Sequence, residues 1–148
     1  MSEVYVVGEV RKDIRFNEPY LKNISFNVNN NFNVEKFEGI SEIKLEISKG
    51  FEKAFDKEND LKGSSLVSIE IEIGGMEEIN PFHIKVEVAA IFEWDNFKPN
   101  EVDDYLNINA AAILYSYCRP HISYITSASG LPTYILPFYN FTNNKMNN

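Results

Sequence analysis

From Phe82 to Trp94 every second residue is apolar: Phe82, Ile84, Val86, Val88, Ala90, Phe92 and Trp94. The places between them hold His83, Lys85, Glu87, Ala89, Ile91 and Glu93. A strict period of two over that length is the pattern of a β-strand with one face in a core. A helix is excluded here, because its apolar stripe recurs every three to four residues.

Shorter segments upstream repeat the pattern. Ile24, Phe26 and Val28 alternate with Asn23, Ser25 and Asn27, and the asparagines at 29–31 break the run. Ile43, Leu45 and Ile47 alternate with charged residues, and Phe51 and Phe55 either extend that strand or sit on a short helical turn. Ile69, Ile71 and Ile73 alternate with Ser68, Glu70 and Glu72 before Gly74 and Gly75 open a hairpin connection that closes near Asn80 and Pro81. Phe37, Glu38 and Gly39 read as a crossing loop, and the polar stretch 56–63 as a connection. The weaker alternation in 3–16 (Val4, Val6, Val10, Ile14, Phe16) is expected to form an arm or an extra strand.

After Trp94 the period changes. Asp103 and Asp104 supply N-cap chemistry, and Leu106, Ala110, Ile113, Tyr117, Ile122 and Ile125 recur at helical spacing over 105–129. Pro120 lies inside this run and is expected to kink it or split it into two abutting helices. Gly130 and Pro132 end it. The stretch 131–141 is apolar and extended, with Pro132 and Pro137 too stiff for a helix, and 142–148 is a polar tail expected to fray. Strands followed by a helix predict an α+β fold, an antiparallel sheet of four or five strands packed against a long C-terminal helical segment. The whole of 1–148 is read as one domain, with 1–19 as the arm or extra strand. One helix hardly covers such a sheet, so a partner subunit is expected.

The chemistry of the residues argues for binding rather than catalysis. A net charge of −8 and a pI near 4.8 disfavour nucleic acid and anionic membrane surfaces, both of which need clustered cations. Cys118 is the only cysteine, so no disulfide can form within the chain, and with no secretory apolar region at the start a cytoplasmic setting is expected. No apolar run approaches the roughly 20 residues of a spanning helix. Cys118 and His121 sit three apart, a spacing a nucleophile pair could use, but Pro120 lies between them and nothing nearby reads as an oxyanion site. One cysteine and two histidines are too few for zinc, no phosphate-binding glycine loop is present, and Glu70 and Glu72 read as a solvated face. No cofactor is expected. Aromatic residues make up 14% of the chain, which suits a rich core or adhesive surface patches.

The C-terminal third carries a resemblance. Gly130-Leu131-Pro132-Thr133-Tyr134-Ile135-Leu136-Pro137-Phe138-Tyr139-Asn140-Phe141 follows a helix containing Tyr117, Arg119 and Ile122. It resembles the SecB family, whose helix leads into a G-[FL]-P-x-[LI]-x-L-x-[AP]-[IV]-[ND]-F segment. Lys22-Asn23-Ile24-Ser25-Phe26 is similar to that family's first-strand K-D-I-S-F, and Ala89-Ala90-Ile91-Phe92 to its G-G-I-F. Ile43-Lys44-Leu45-Glu46-Ile47 is similar to its second strand, and Phe37 stands where the family has a crossover-loop tryptophan. The likeness spans 20–141.

The resemblance implies an ATP-independent chaperone, a homotetramer built as a dimer of dimers, that holds non-native polypeptides in apolar grooves. Phe37, Ile91, Phe92, Trp94, Tyr134 and Leu136 are the residues expected to contact such clients. In the export chaperones an acidic sheet face docks the translocation motor SecA. By the same resemblance those acids fall on Asn23, Asn27 and Lys85, which have lost or reversed the charge, so SecA docking by the usual route is not expected. The chain continues only briefly past Phe141, leaving little of the family's second helix. These departures are similar to SecB-like members outside export, including chaperones of antitoxins. Competing readings are an adaptor of the same fold that binds one folded partner, and a small-ligand carrier using an aromatic groove.

Overall fold

The computed structural model describes residues 2–7 and 10–142, with side chains from Asp13 onward. The chain is an antiparallel sheet with one long helical segment laid across one face, the α+β architecture expected. Six strands are present among the described residues: β1 (Ser2–Val7), β2 (Val10–Phe16), β3 (Tyr20–Val28), β4 (Leu45–Phe55), β5 (Gly63–Gly74) and β6 (Phe82–Asp95). The segment 3–16 thus supplies two strands, paired from Ser2 opposite Arg15 to Val7 opposite Val10.

The long alternating strand β6 is the spine. Along one edge it pairs with β5, from Gly63 opposite Trp94 to Gly74 opposite His83. Along the other edge it carries two strands end to end, β3 beside 82–89 and β2 beside 92–95. Between them, the Asn17 amide donates to the Ile91 carbonyl (3.2 Å) and the Ile91 amide to Asn17 Oδ1 (2.7 Å). That exchange lets the chain break at Pro19 without leaving the Ile91 backbone unpaired. Among the described residues the strand β4 pairs with β5 alone, and it runs unbroken through Phe51 to Phe55.

Alternation sorts the residues as expected. Ile69, Ile71 and Ile73 of β5 and Phe82, Ile84, Val86, Val88, Phe92 and Trp94 of β6 are buried beneath the helix. Each such side chain contributes about 1.5–3 kcal/mol relative to exposure.

The helix starts earlier than the sequence suggests. Lys98 is the extended N-cap and Pro99 the first helical residue of α1 (Pro99–Asp104), while Glu101 accepts from the Lys98 amide at 3.0 Å. Pro99 already has the φ a first turn needs and no N–H to leave unpaired, so Asp103 and Asp104 fall inside the helix rather than capping it. A π-helical turn, Tyr105–Ala110, joins α1 to α2 (Ala111–Ala128). Pro120 does not split the helix: α2 runs through it, and the lost bond falls between exposed residues, Pro120 and Ser116. Gly130, at φ +80°, ends the helix in the left-handed conformation that a side chain would disfavour.

Past Gly130 the segment 131–141 forms a strap along α2. Among the described residues it pairs with no strand of the sheet. The expected frayed tail lies, from residue 143, outside the described residues.

Candidate functional site

A crossing loop joins β3 to β4, and its conformation is fixed by a buried asparagine. Asn29 donates from Nδ2 to the carbonyls of Glu77 (2.7 Å) and Asn80 (2.9 Å), and its Oδ1 accepts from the Asn31 amide. The Asn29 amide donates to the Pro81 carbonyl, and the Asn33 amide to the Glu78 carbonyl at 2.8 Å. Lys36 forms an ion pair with Glu78. The loop is thereby held against the 75–81 connection at one end of the sheet.

This clamping creates a shallow recess of about 20 Å³, lined by Phe37, Glu38, Gly39, Glu42, Ile43 and Ile79. Ile43 is buried in its floor and Phe37, set edge-on against Phe32 at 5.5 Å, is half-buried. Ile79 in its wall is 46% exposed, and Met76 and Val34, in the two loops clamped together, are 53% and 73% exposed. Apolar side chains this open, beside carboxylates that cannot be buried unpaired, make a surface that can take a partner's apolar group while its rim stays wet.

The residues expected to contact clients fall in three different places. Phe37 lies in the recess. Ile91 is 43% exposed on the opposite face of the sheet, directly across from exposed Leu66. Phe92, Trp94, Tyr134 and Leu136 are core residues in the folded chain, at 0%, 0%, 4% and 2% exposure. The reason is alternation: Phe92 and Trp94 share the β6 face on which the helix lies. Phe92 stacks on Phe16 at 5.2 Å and meets Tyr105 edge-on at 6.1 Å, while Trp94 faces Phe55. Tyr134 and Leu136 are the inward positions of the strap, with Tyr134 edge-on to Phe82 at 6.2 Å. The sequence reading missed Ile79 and Ile43 as recess residues. Two apolar residues inside the otherwise polar 75–81 connection were the signal available.

Asn23, Asn27 and Lys85 do come together, on the face turned away from the helix. Asn23 lies opposite Glu87, Asn27 opposite His83, and Lys85 between Ser25 and Glu72. Two of the acids remaining there have basic side chains beside them. Lys22 reaches Glu87 at 3.6 Å, and His83 Nε2 lies 2.6 Å from Glu72. The hydrogen bond from His83, helped by the nearby Lys85 charge, holds the Glu72 carboxyl below its ordinary range. At the far end of the same face, Arg15 joins Asp13, Asp95 and Glu93 at 2.8–3.3 Å, with Asp95 the main cause of its raised pKa.

The reactive groups noted in the sequence are placed for structure. Cys118 faces the core, and burial pushes its thiol up to about 12, so it is protonated at neutral pH and not a nucleophile. Among the described residues no group of three or more His, Cys, Asp or Glu is placed to hold a metal ion, and no helix is long and apolar enough to cross a membrane.

Sheet, helix and strap form one α+β scaffold that carries an apolar recess at one end. The family of SecB, preprotein translocase subunit, matches residues 8–144, and the chain belongs to it. SecB-family proteins are chaperones, not enzymes. An uncharacterised protein of Methanocaldococcus jannaschii is 29% identical over 126 residues, covering 84% of this chain and 77% of that protein. Two solved structures share the fold. One is the Mycobacterium tuberculosis Rv1957 SecB-like chaperone in complex with a ChAD peptide from the Rv1956 HigA1 antitoxin, with a TM-score of 0.58 at 15% identity, covering 86% of this chain and 91% of that one. The other is a Streptococcus agalactiae protein of unknown function, with a TM-score of 0.57 at 18% identity, covering 86% and 98%.

Proposed function

We propose that this chain is an ATP-independent holdase, one SecB-like domain over 1–148, that keeps extended apolar segments of a non-native polypeptide from aggregating. The observation that carries the reading is the recess at Phe37, Ile43 and Ile79, fixed in place by Asn29 and Asn33 before any ligand arrives. A preformed apolar foothold reduces the ordering cost of capture. A dedicated client such as an antitoxin is the favoured form of this activity, supported by the antitoxin peptide bound to the mycobacterial SecB-like chaperone.

The protein works in this reading as a cytoplasmic homotetramer. Tyr124 on α2 and Ile135 and Phe138 on the strap are 74%, 66% and 87% exposed, an apolar surface that a second subunit would cover. Light scattering near four times 17.0 kDa is the expected mass. A monomer would favour the small-ligand carrier instead.

The alternative within the family, delivery of exported proteins to SecA, is weakened by the loss of acids at Asn23, Asn27 and Lys85. An adaptor that binds one folded partner is the second alternative, and unfolded peptide should then fail to compete with that partner. The direct test is suppression of aggregation of an unfolding protein at stoichiometric ratios. Ile79→Ser, at a position too exposed to unfold the chain, should weaken suppression several-fold. A wild-type protein that leaves aggregation unchanged would rule out the holdase.

A further inference from the structure

The strap at 131–141 is itself an extended apolar peptide lying in a groove. Tyr134, Leu136 and Phe141 are inserted and nearly inaccessible, whereas Ile135 and Phe138 point outward. It runs from Phe82 at the start of β6 to Lys49 in the middle of β4, where the ammonium sits 5.4 Å from the Phe141 ring centre. Its floor is the helix-side face of the sheet and its wall is α2.

Several hydrogen bonds along this path are hooks from helix side chains. The Tyr134 amide donates to Thr126 Oγ1 at 2.9 Å, and Tyr115 Oη donates to the Pro137 carbonyl at 2.7 Å. Ser123 Oγ reaches the Tyr134 carbonyl at 3.4 Å, and Ser127 and Thr133 share a hydroxyl contact at 2.7 Å. Pro132 and Pro137 have no N–H with which to join a sheet. At the root of the strap, Gly130 has φ +80° with open space where a side chain would stand, and its amide donates to the Ser127 carbonyl at 3.2 Å.

An extended client has the same chemistry as the strap: apolar side chains at alternate positions and a backbone with no ladder of its own. We infer that the strap is an internal stand-in for client, filling this groove until an extended apolar segment displaces it about Gly130. The inference rests on the holdase reading and adds a control to it: the empty chaperone covers its own groove. It also gives Tyr134 and Leu136 a way to meet a client, which their burial otherwise forbids.

Hydrogen exchange on the unmodified protein, with and without reduced and carboxymethylated lactalbumin as a permanently unfolded probe, tests this. Displacement predicts that amides at 133–141 exchange faster in the complex while those of β5 and β6 keep their protection. Slower or unchanged exchange in 133–141, with probe bound, would overturn the strap's role and leave the holdase reading intact. Tyr115→Phe and Thr126→Val each remove one hook and should tighten probe binding at least threefold, with Trp94 fluorescence reporting that the core is intact. Equal or weaker binding by both folded variants would also overturn the inference. If neither wild type nor variants bind the probe, both the holdase reading and the strap inference fall.

Discussion

The Lys49 ammonium on edge strand β4 donates to the main-chain carbonyl of Asn107, 3.1 Å away in the π-helical turn. A π-turn shifts the hydrogen-bond ladder by one residue, so a carbonyl there can accept from outside the helix. Asn107 is buried, and its Nδ2 donates to the Asp103 carbonyl at 3.0 Å. Lys53, four residues along β4 on the same face, pairs with Asp103. Two inward lysines thus tie the sheet edge to the start of the helix, and inward charges also discourage pairing of that edge with other chains.

Lys49→Ala should therefore destabilise the protein by about 1–2 kcal/mol, combining a lost hydrogen bond with lost packing of the lysine stem. Lys49→Met should recover the packing share and leave the bond's share. Urea unfolding measures both, and equal stability of Lys49→Ala and wild type would refute the tie.

Gly63 makes a second test of close approach. A Cβ at this position would lie 2.5 Å from the Ala54 carbonyl oxygen and 2.7 Å from Trp94 Cζ2. Neither a paired backbone nor a fully buried indole can move aside cheaply, so Gly63→Ala should cost about 1–3 kcal/mol. Trp94 is the only tryptophan, so its emission should shift as the ring moves. Wild-type stability together with unchanged emission would contradict the packing described.

Legibility followed the length of the local pattern. The β6 face was readable because alternation held from Phe82 to Trp94, and the central strands because three isoleucines or equivalents repeated at period two. The 3–16 segment was ambiguous because neither strand has a full apolar face, and it is the pairing of β2 with β6 at Ile14 and Phe16, and of β1 with β2, that settles them. The helix start was misread because aspartates at 103 and 104 satisfy the N-cap preference as well as Lys98 does not, while the decisive feature was Pro99. The recess was the least legible. It depends on Asn29 reaching residues 48 and 51 positions away, and local periodicity carries no information about such contacts.

Alkaline stability follows from the groups buried under and beside α2. Burial raises the Tyr115 phenol from an ordinary 10 to about 12 and the Cys118 thiol from 9 to about 12, and it raises Tyr134 as well. Between pH 9 and 12 the unfolded chain has released these protons while the folded chain retains them. Stability is therefore complete below about pH 9 and falls as pH rises through that window. Urea midpoints measured across it should decline, and Cys118→Ala should flatten the early part of the decline. A midpoint that stays level from pH 9 to 11 would contradict the burial of both groups.

The outward sheet face supplies a test of partner choice. Asn23→Asp, Asn27→Glu and Lys85→Glu together turn two neutral side chains and one cation into acids on three neighbouring rows of one surface. Lys85→Glu also sets a carboxylate across from Glu72, and Asn23→Asp one across from Glu87, so the variant should lose about 0.5–2 kcal/mol through like-charge cross-strand pairs. If charge is what separates this face from the SecA-docking surface of the export chaperones, the variant should nonetheless bind SecA more strongly than wild type. The gain should appear mainly in the association rate and should shrink as salt approaches 1 M, where the screening length is only about 3 Å. Equal SecA binding by folded variant and wild type at low salt would mean that shape, not charge, sets the partner of this face.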